Sequence, residues 1–446
     1  MFFLLYIYIV LFLLSLYPYF DNFPKVPGGF LSGILPCIVS PWALTGKIIY
    51  RINSLAFGKG PLMRIGRRKI GVLDYHLATN VLSDPNMLKA PIKTSNPMIN
   101  YGLPFVSDPE LAKNLRSASL ATALNKDVLS KITSDQIWKT CLSKLLQEIS
   151  NVDLAIENYV KRALFLMVLD LPNVEELPQM QTGPAARDRM ISSIIGDNVF
   201  LKFLVSTYRK IYGMPGLDPD VKGTMDYMES LIDRDVSIAV YMKEKGFTRE
   251  QIKCHLATLF QAGTETTAFA LKVSLICLGR YPKIQELLYK KISTLENEWN
   301  YSRLIECCPE ILDFMYASLN YLTPIPLLRS RFSPYPKELN GINFPAGTLF
   351  AISNDFIMQP FRRVFSMENA QELNLSFGYG PRMCPGKHLA KIELCMALSA
   401  IIASFKILDL NPESNLEDES LSFITRYWTR EHPLEFIPRS IELSEI

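Results

Sequence analysis

The sequence predicts a mainly α protein with a small β region, and three observations carry that reading. The stretch TREQIKCHLATLFQAGTETTAFALKVSLICLGR (248–280) keeps helical patterning over its whole length with no proline inside it. ELAKNLRSASLATAL (110–124) and SDQIWKTCLSKLLQEIS (134–150) place apolar residues at the same spacing. Strand signals are confined to parts of 50–75 and to ELNGINFPAGTLFAI (338–352), which reads as a hairpin about Asn340–Gly341.

Composition narrows the class further. With 446 residues, 48% hydrophobic and 20% charged, the chain suits a large packed globule. Length alone suggests about three domains, but no linker, charge block or repeat divides it, so 31–446 reads as a single large domain. A net charge of +3, with no basic stripe among aromatics, speaks against nucleic acid. Eight cysteines without a C-x-x-C spacing make neither a disulfide framework nor a zinc site of the usual kind, and reduced buried thiols suit the cytosol.

The N-terminus sets the localisation expected. MFFLLYIYIVLFLLSLY carries no charge before Pro18, which is near the roughly 17-residue lower limit for a membrane-spanning helix. A cleaved signal peptide would want a basic start and a small-residue cleavage site, and neither is evident. Residues 1–20 therefore read as a retained transmembrane anchor. Lys25, Lys47 and Arg51 follow it, which orients the body to the cytosol. PKVPGGF, within 21–30, reads as a proline/glycine hinge.

Between 155 and 245 the pattern is helical, with breaks at Pro172, Pro178 and GMPGLDPD. Thr248 and Gln251 form a capping-box pattern at the start of the long helix, and Gly279 with Pro282 reads as its stop. At 1.5 Å per residue it is a rod of roughly 45–50 Å, apolar on most sides and expected to run through the middle of the fold. Within it, AGTETT (262–267) is a poor choice for a buried helix interior. One reading is a glycine for close helix contact with threonines bonded back to carbonyls. The other is a local opening in which Glu265 and Thr266 face a ligand and water and handle protons.

SFGYGPRMCPGKHLAKIELC (376–395) surrounds Cys384 with two glycines, two prolines and an arginine. Gly378 and Gly380 allow positive φ and close backbone approach. KHLAKIELCMALSAIIASFKI then continues as an amphipathic helix, so the thiol lies near a helix N-terminus, where its pKa falls. Arg382 adds positive charge. A buried structural cysteine leaves the constrained turn unexplained, and a nucleophile lacks a well-placed base, since His388 points along the helix. A thiolate ligand for a metal that brings its other ligands with it, as haem does, accounts for the shielding.

FGYGPRMCPG resembles the haem-binding signature of the cytochrome P-450 monooxygenases, carried here by Phe377, Gly378, Gly380, Arg382, Cys384 and Gly386. AGTETT is similar to the family's oxygen-activation motif, LGRYPKIQELLYKKI to the helix that follows, and LNGINFPAGTLF to a later strand pair. The anchor and hinge are typical of the family's eukaryotic, endoplasmic-reticulum members. The resemblance is strong from about 248 to 405 and looser before.

What the resemblance implies is a membrane-anchored, single-pass haem-thiolate monooxygenase using heme b. Cys384 would be the axial ligand, donating electron density that favours O–O cleavage. Glu265 and Thr266 would deliver and order protons, and Phe377 would pack on the thiolate side of the ring. Arg382, Arg116 and either Arg329 or Arg331 would pair with haem propionates, although Ala112 stands where the family carries tryptophan or histidine. Electrons would come from NADPH through a membrane-bound cytochrome P-450 reductase, because no G-x-G-x-x-G loop is present. The substrate would be a lipophilic small molecule, such as a terpenoid of fungal-type secondary metabolism, with a steroid or a fatty acid as the alternative.

Two departures support an alternative, a degenerate and catalytically inactive member. The family's glutamate–x–x–arginine pair is replaced by Ala317 and Asn320, and the segment between Ala351 and Leu375 is short, with only QPFRRVF as a trace of the usual motif. Cys254–His255, Cys307–Cys308 and Cys395 read as packing residues. The sequons at Asn300 and Asn374 would be unused in a cytosolic body, and His76 and His432 have no partner evident from sequence.

Overall fold

A computed structural model of the chain describes residues 24, 60–66, 68–90, 100–133, 136–169, 222–295, 299–358, 360, 364–417, 420–422, 425–428 and 431–439. The first part contains β1 (Leu62–Gly66), β2 (Lys69–Val72), α1 (Tyr75–Ser83) and β3 (Leu88–Lys89). Helices follow: α2 (Pro109–Ala121), α3 (Lys126–Ile132), α4 (Gln136–Glu148), α5 (Val152–Leu169), α6 (Lys222–Asp233) and α7 (Ser237–Glu244). Next come α8 (Arg249–Arg280), α9 (Pro282–Ile292), α10 (Tyr301–Cys307) and α11 (Glu310–Tyr321). The remainder is β4 (Leu327–Phe332), β5 (Lys337–Leu339), β6 (Ile342–Phe344), β7 (Leu349–Ser353), α12 (Asn354–Ile357), α13 (Lys387–Ser404), β8 (Phe405–Asp409), β9 (Ser420–Ser422), β10 (Arg426–Trp428) and β11 (Leu434–Pro438). The expected mainly helical class with a small β region holds.

The described residues form two compact units, one drawn from within Met1–Ala90, Tyr316–Cys384 and Asn415–Arg430, the other from within Pro91–Met315, Pro385–Ser414 and Glu431–Ile446. The first contains a five-stranded sheet in the order β1-β2-β7-β4-β3. β2 and β7 pair in parallel, Lys69 with Leu349 through Val72 with Ile352, and their apolar runs are largely buried, as a covered strand pair requires. Its core joins Ile70, Val72, Val81, Leu82, Phe350, Ile352 and Leu375. The hairpin expected at Asn340–Gly341 is present as β5–β6, with φ of 54° and 72° at the two turn residues, the positive values its tight turn needs. Arg426 is buried in an ion pair with Asp355. Its Nε donates to the Thr323 carbonyl at 3.1 Å, so β10 is tied to the chain leaving α11.

In the second unit, α8 runs 32 residues from a complete capping box in which Thr248 and Gln251 satisfy each other's backbone N–H groups. Gly279 does not stop it. The helix continues through Arg280, and a Cβ on Gly279 would stand 2.5 Å from the Asp409 amide nitrogen, so this glycine admits the end of β8. Arg280 Nε donates to Asp409 Oδ2 at 2.6 Å, and His432 lies 2.8 Å from Asp409 Oδ1. His432 therefore does have a partner, brought to it by the antiparallel pairing of β8 and β11. α13 is also more than amphipathic, being buried on all sides from Ile392 to Ser404, because its apolar residues surround the axis.

Among the described residues, no helix is long and apolar enough to cross a membrane. The expected anchor (1–20), nearly all of the hinge (21–30) and the breaks at Pro172, Pro178 and GMPGLDPD lie outside the described residues.

Candidate functional site

The cysteine turn is built from both ends. Leu375 is fully buried in the core of the first unit, which fixes the entry to the turn. Gly378 N–H donates to the Leu375 carbonyl at 2.8 Å, and Gly378 and Gly380 both adopt φ of 71°. A short 3₁₀ turn, Gly380–Arg382, follows, closed by Met383 N–H donating to Gly380 O at 3.0 Å. Cys384 N–H then donates to Phe377 O at 2.8 Å, so the cysteine returns beside the residue seven positions earlier. A Cβ on Gly380 would strike the Leu82 carbonyl and lie 2.8 Å from Ser83 Cα, which shows that the end of α1 is pressed against the turn. The Phe377 ring meets Tyr316 edge to face, with centroids 6.1 Å apart.

Cys384 is the exposed one among the described cysteines, the rest being buried or half-buried. Arg382 is half-buried within the turn, Arg331 is buried on β4, and the Arg329 side chain lies outside the described residues. Gly386 is the N-cap of α13 at an ordinary φ of −81°, so no positive torsion demands glycine there. Phe377, Gly378, Gly380, Arg382 and Cys384 are thus brought together in the first unit.

Glu265 and Thr266 lie in the second unit on α8, and Arg116 is half-buried on α2. α8 is continuous through AGTETT, so no opening of the helix occurs. Thr264 and Thr266 donate back to the carbonyls of Phe260 and Ala262, at 2.9 and 2.7 Å. A Cβ on Gly263 would stand 2.6 Å from Leu164 Cδ1, which marks where α5 crosses. These features match the packing reading, yet the surface of the segment does not. Phe260 and Thr267 are buried, whereas Ala262 between them is exposed and Gly263–Thr266 are half-buried. Glu265 and Thr266 are thus accessible on a helix that is buried on either side of them. Gln261 Nε2 donates to Glu265 Oε1 at 3.3 Å. Because the Thr266 hydroxyl spends its proton on Ala262, its lone pairs are left to accept.

One buried group near this segment, Glu393, escaped the sequence reading, while His255 holds the packing place expected of it. Glu393 on α13 is fully buried with no hydrogen-bond partner at either carboxylate oxygen, and burial drives its carboxyl well above the usual range. An isolated Glu inside the apolar run KIELCMAL was the available signal. His255, also fully buried, has Nε2 2.9 Å from Ser119 Oγ, and burial lowers its pKa to about 4. Since Ser119 donates to Leu115 O at 3.0 Å, the His255 proton belongs on Nε2.

The donor set fits a haem. Among the described residues, no group of three or more His, Cys, Asp or Glu side chains is arranged to hold a metal ion. One exposed thiol in a rigid turn would suit an iron whose other ligands a porphyrin supplies, with Cys384 as the residue that holds it. A single exposed thiol among the described residues and a mainly helical fold that includes one long buried helix are features a haem-thiolate protein requires.

Comparison with known proteins agrees. The Cytochrome P450 family model matches residues 110–426, and the chain belongs to the cytochrome P450 family. It is 29% identical over 225 residues to cytochrome P450 2E1 of Mus musculus, covering 45% of this chain and 44% of that protein. It is 27% identical over 207 residues to the mouse mitochondrial 1,25-dihydroxyvitamin D(3) 24-hydroxylase, covering 43% of this chain and 40% of that one. The chain thus matches less than half the length of these relatives. A solved structure titled retinoic acid bound cyanobacterial CYP120A1 superposes with a TM-score of 0.70, covering 94% of this chain and all of that one at 15% identity, which is a likeness of fold.

Proposed function

We propose that the chain is a haem-thiolate monooxygenase acting on a lipophilic small molecule. One observation carries the reading: the exposed Cys384 thiol held by two left-handed glycines in an otherwise intact signature turn. Bound heme b would supply the redox chemistry that reduces dioxygen and inserts one oxygen atom into substrate. Cys384 would hold the iron, Phe377 would shield the sulfur side, and Arg382, Arg116 and Arg331 or Arg329 would offer charge to the propionates. Thr266 would accept and relay a proton at this accessible stretch of α8, with Glu265 as the carboxylate that resupplies it.

Electrons would come from NADPH through a reductase. Support lies in Lys126, Lys387 and Lys391, which with His388 form a basic cluster on α3 and the first turns of α13. Desolvation, followed by the charges of Lys387 and Lys126, lowers the Lys391 pKa. An acidic surface would offset the repulsion among these lysines. The uncharged N-terminal stretch supports anchoring in the endoplasmic reticulum with the body cytosolic, and terpenoids head the substrate panel. The lipophilic compounds in two relatives' titles point the same way.

The inactive alternative rests on Ala317 and Asn320. Turnover decides between the two. With a reductase and NADPH, the wild-type chain should convert a lipophilic substrate, and Thr266→Ala should consume NADPH while losing most product. Unaltered coupling in Thr266→Ala would remove the proton-relay role. No turnover across the panel by haem-loaded protein would favour the inactive reading.

A further inference from the structure

The last turn of α11 and the approach to the cysteine turn are joined by side chains that carry no charge. Asn320 is 1% exposed, and its Nδ2 donates to Ala370 O at 2.9 Å. Asn374 Nδ2 donates to Asn320 Oδ1 at 2.6 Å and to Ser376 Oγ at 3.2 Å. In return Ser376 N–H donates to Asn374 Oδ1 at 3.0 Å, which fixes the orientation of the Asn374 amide, since a flip would set two N–H groups together. Ser376 Oγ lies 3.4 Å from Leu319 O and 3.3 Å from Thr323 Oγ1, and Asn354 Nδ2 donates to Thr323 Oγ1 at 3.1 Å.

Ser376 directly precedes Phe377, whose carbonyl accepts from the Cys384 amide at 2.8 Å. Leu375, between the two polar residues, is fully buried in the core. A displacement of Asn374 or Ser376 is therefore passed along two residues of backbone to the cysteine. We infer that Asn320, Asn374 and Ser376 form an uncharged lock that positions the Cys384 turn on α11, doing without an ion pair. The inference rests on the haem-thiolate reading for its consequence, the ligation of iron by Cys384.

An uncharged lock has properties an ion pair lacks. None of its members titrates near neutrality, so its hold on the turn is insensitive to pH and weakly sensitive to salt. It also occupies the Asn374 amide, so the Asn374–Leu375–Ser376 sequon is closed to modification in the folded chain.

The test uses detergent-solubilised full-length protein loaded with haem, read by the carbon monoxide difference spectrum of the reduced form. Wild type should show the thiolate-type band, unchanged from mildly acid to mildly alkaline pH. Asn374→Asp sets a carboxylate against Asn320 Oδ1. The ratio of blue-shifted to thiolate-type band should rise roughly tenfold, and fall back at acid pH, where the protonated acid can donate again. Asn320→Ala should show a rise that does not reverse with pH. Val72→Ala, a core cavity in the same unit, should lower the melting temperature and keep the thiolate band. The lock is overturned if Asn374→Asp and Asn320→Ala keep the wild-type band, or if Val72→Ala shifts it equally. A wild type without any thiolate band would instead sink the haem-thiolate reading itself.

Discussion

Replacing Gly380 by alanine tests how the cysteine turn is made. The residue sits at φ of 71°, where an L side chain costs roughly 1–2 kcal/mol. The new methyl would also lie 2.8 Å from Ser83 Cα and closer still to the Leu82 carbonyl. Comfortable carbon–carbon separation is about 3.5–4.0 Å, so the turn or the end of α1 must retreat by about 1 Å. Leu82 is only 2% exposed and packed in the core, so α1 has little room to give. Overpacking of this sort typically adds about 1–3 kcal/mol. The total is about 2–5 kcal/mol, or roughly thirtyfold to several-thousandfold against the native turn.

Gly378 provides the internal comparison. It has the same φ of 71°, but a Cβ there would come no nearer than 3.9 Å to Met383 Cα, leaving the torsional cost alone. Gly378→Ala should cost about 1–2 kcal/mol, roughly five- to thirtyfold. The assay is the proportion of thiolate-type haem in reduced, carbon monoxide-treated protein for wild type and both variants. The expected order is wild type, then Gly378→Ala, then Gly380→Ala. Equal losses in the two variants, or a wild-type spectrum from Gly380→Ala, would refute the contact between α1 and the turn.

Two buried titrating groups in the second unit give opposite pH slopes. Glu393 has a raised folded pKa, so its contribution is full below the unfolded value near 4.3 and is lost as pH rises. Glu393→Gln should therefore gain stability relative to wild type with increasing pH in urea unfolding, and a gain with decreasing pH would show the carboxyl to be ionised. His255 has a folded pKa of about 4 against an ordinary 6.5. The unfolded chain binds more protons between these values, so stability falls by about 3 kcal/mol as pH drops through that window. His255→Gln should flatten this slope, and an unchanged slope would place the proton uptake elsewhere.

Much of this was legible where local chemistry determines structure. The capping box at Thr248–Gln251 and the unbroken helical pattern fixed α8 to within a residue at its start. Asn340–Gly341 announced its own turn, and Gly378 and Gly380 of the cysteine motif carry the positive torsions expected of them. What was not legible depends on contacts between distant residues. Gly279 looks like a helix stop in sequence, and only the crossing of β8 shows that it clears space. His432 finds Asp409 through strand pairing, and Asn320 finds Ala370 fifty positions away. The AGTETT segment showed both sides of the problem: its threonines bond back to the helix as packing residues do, while its partial exposure is what packing alone does not explain.

The carbon monoxide difference spectrum of the reduced, full-length wild-type protein tests the central claim most directly, with Cys384→Ala beside it. The account predicts a thiolate-type Soret band in the wild type and none in the variant. A colourless wild type after hemin reconstitution, or a thiolate-type band that survives Cys384→Ala, would contradict it.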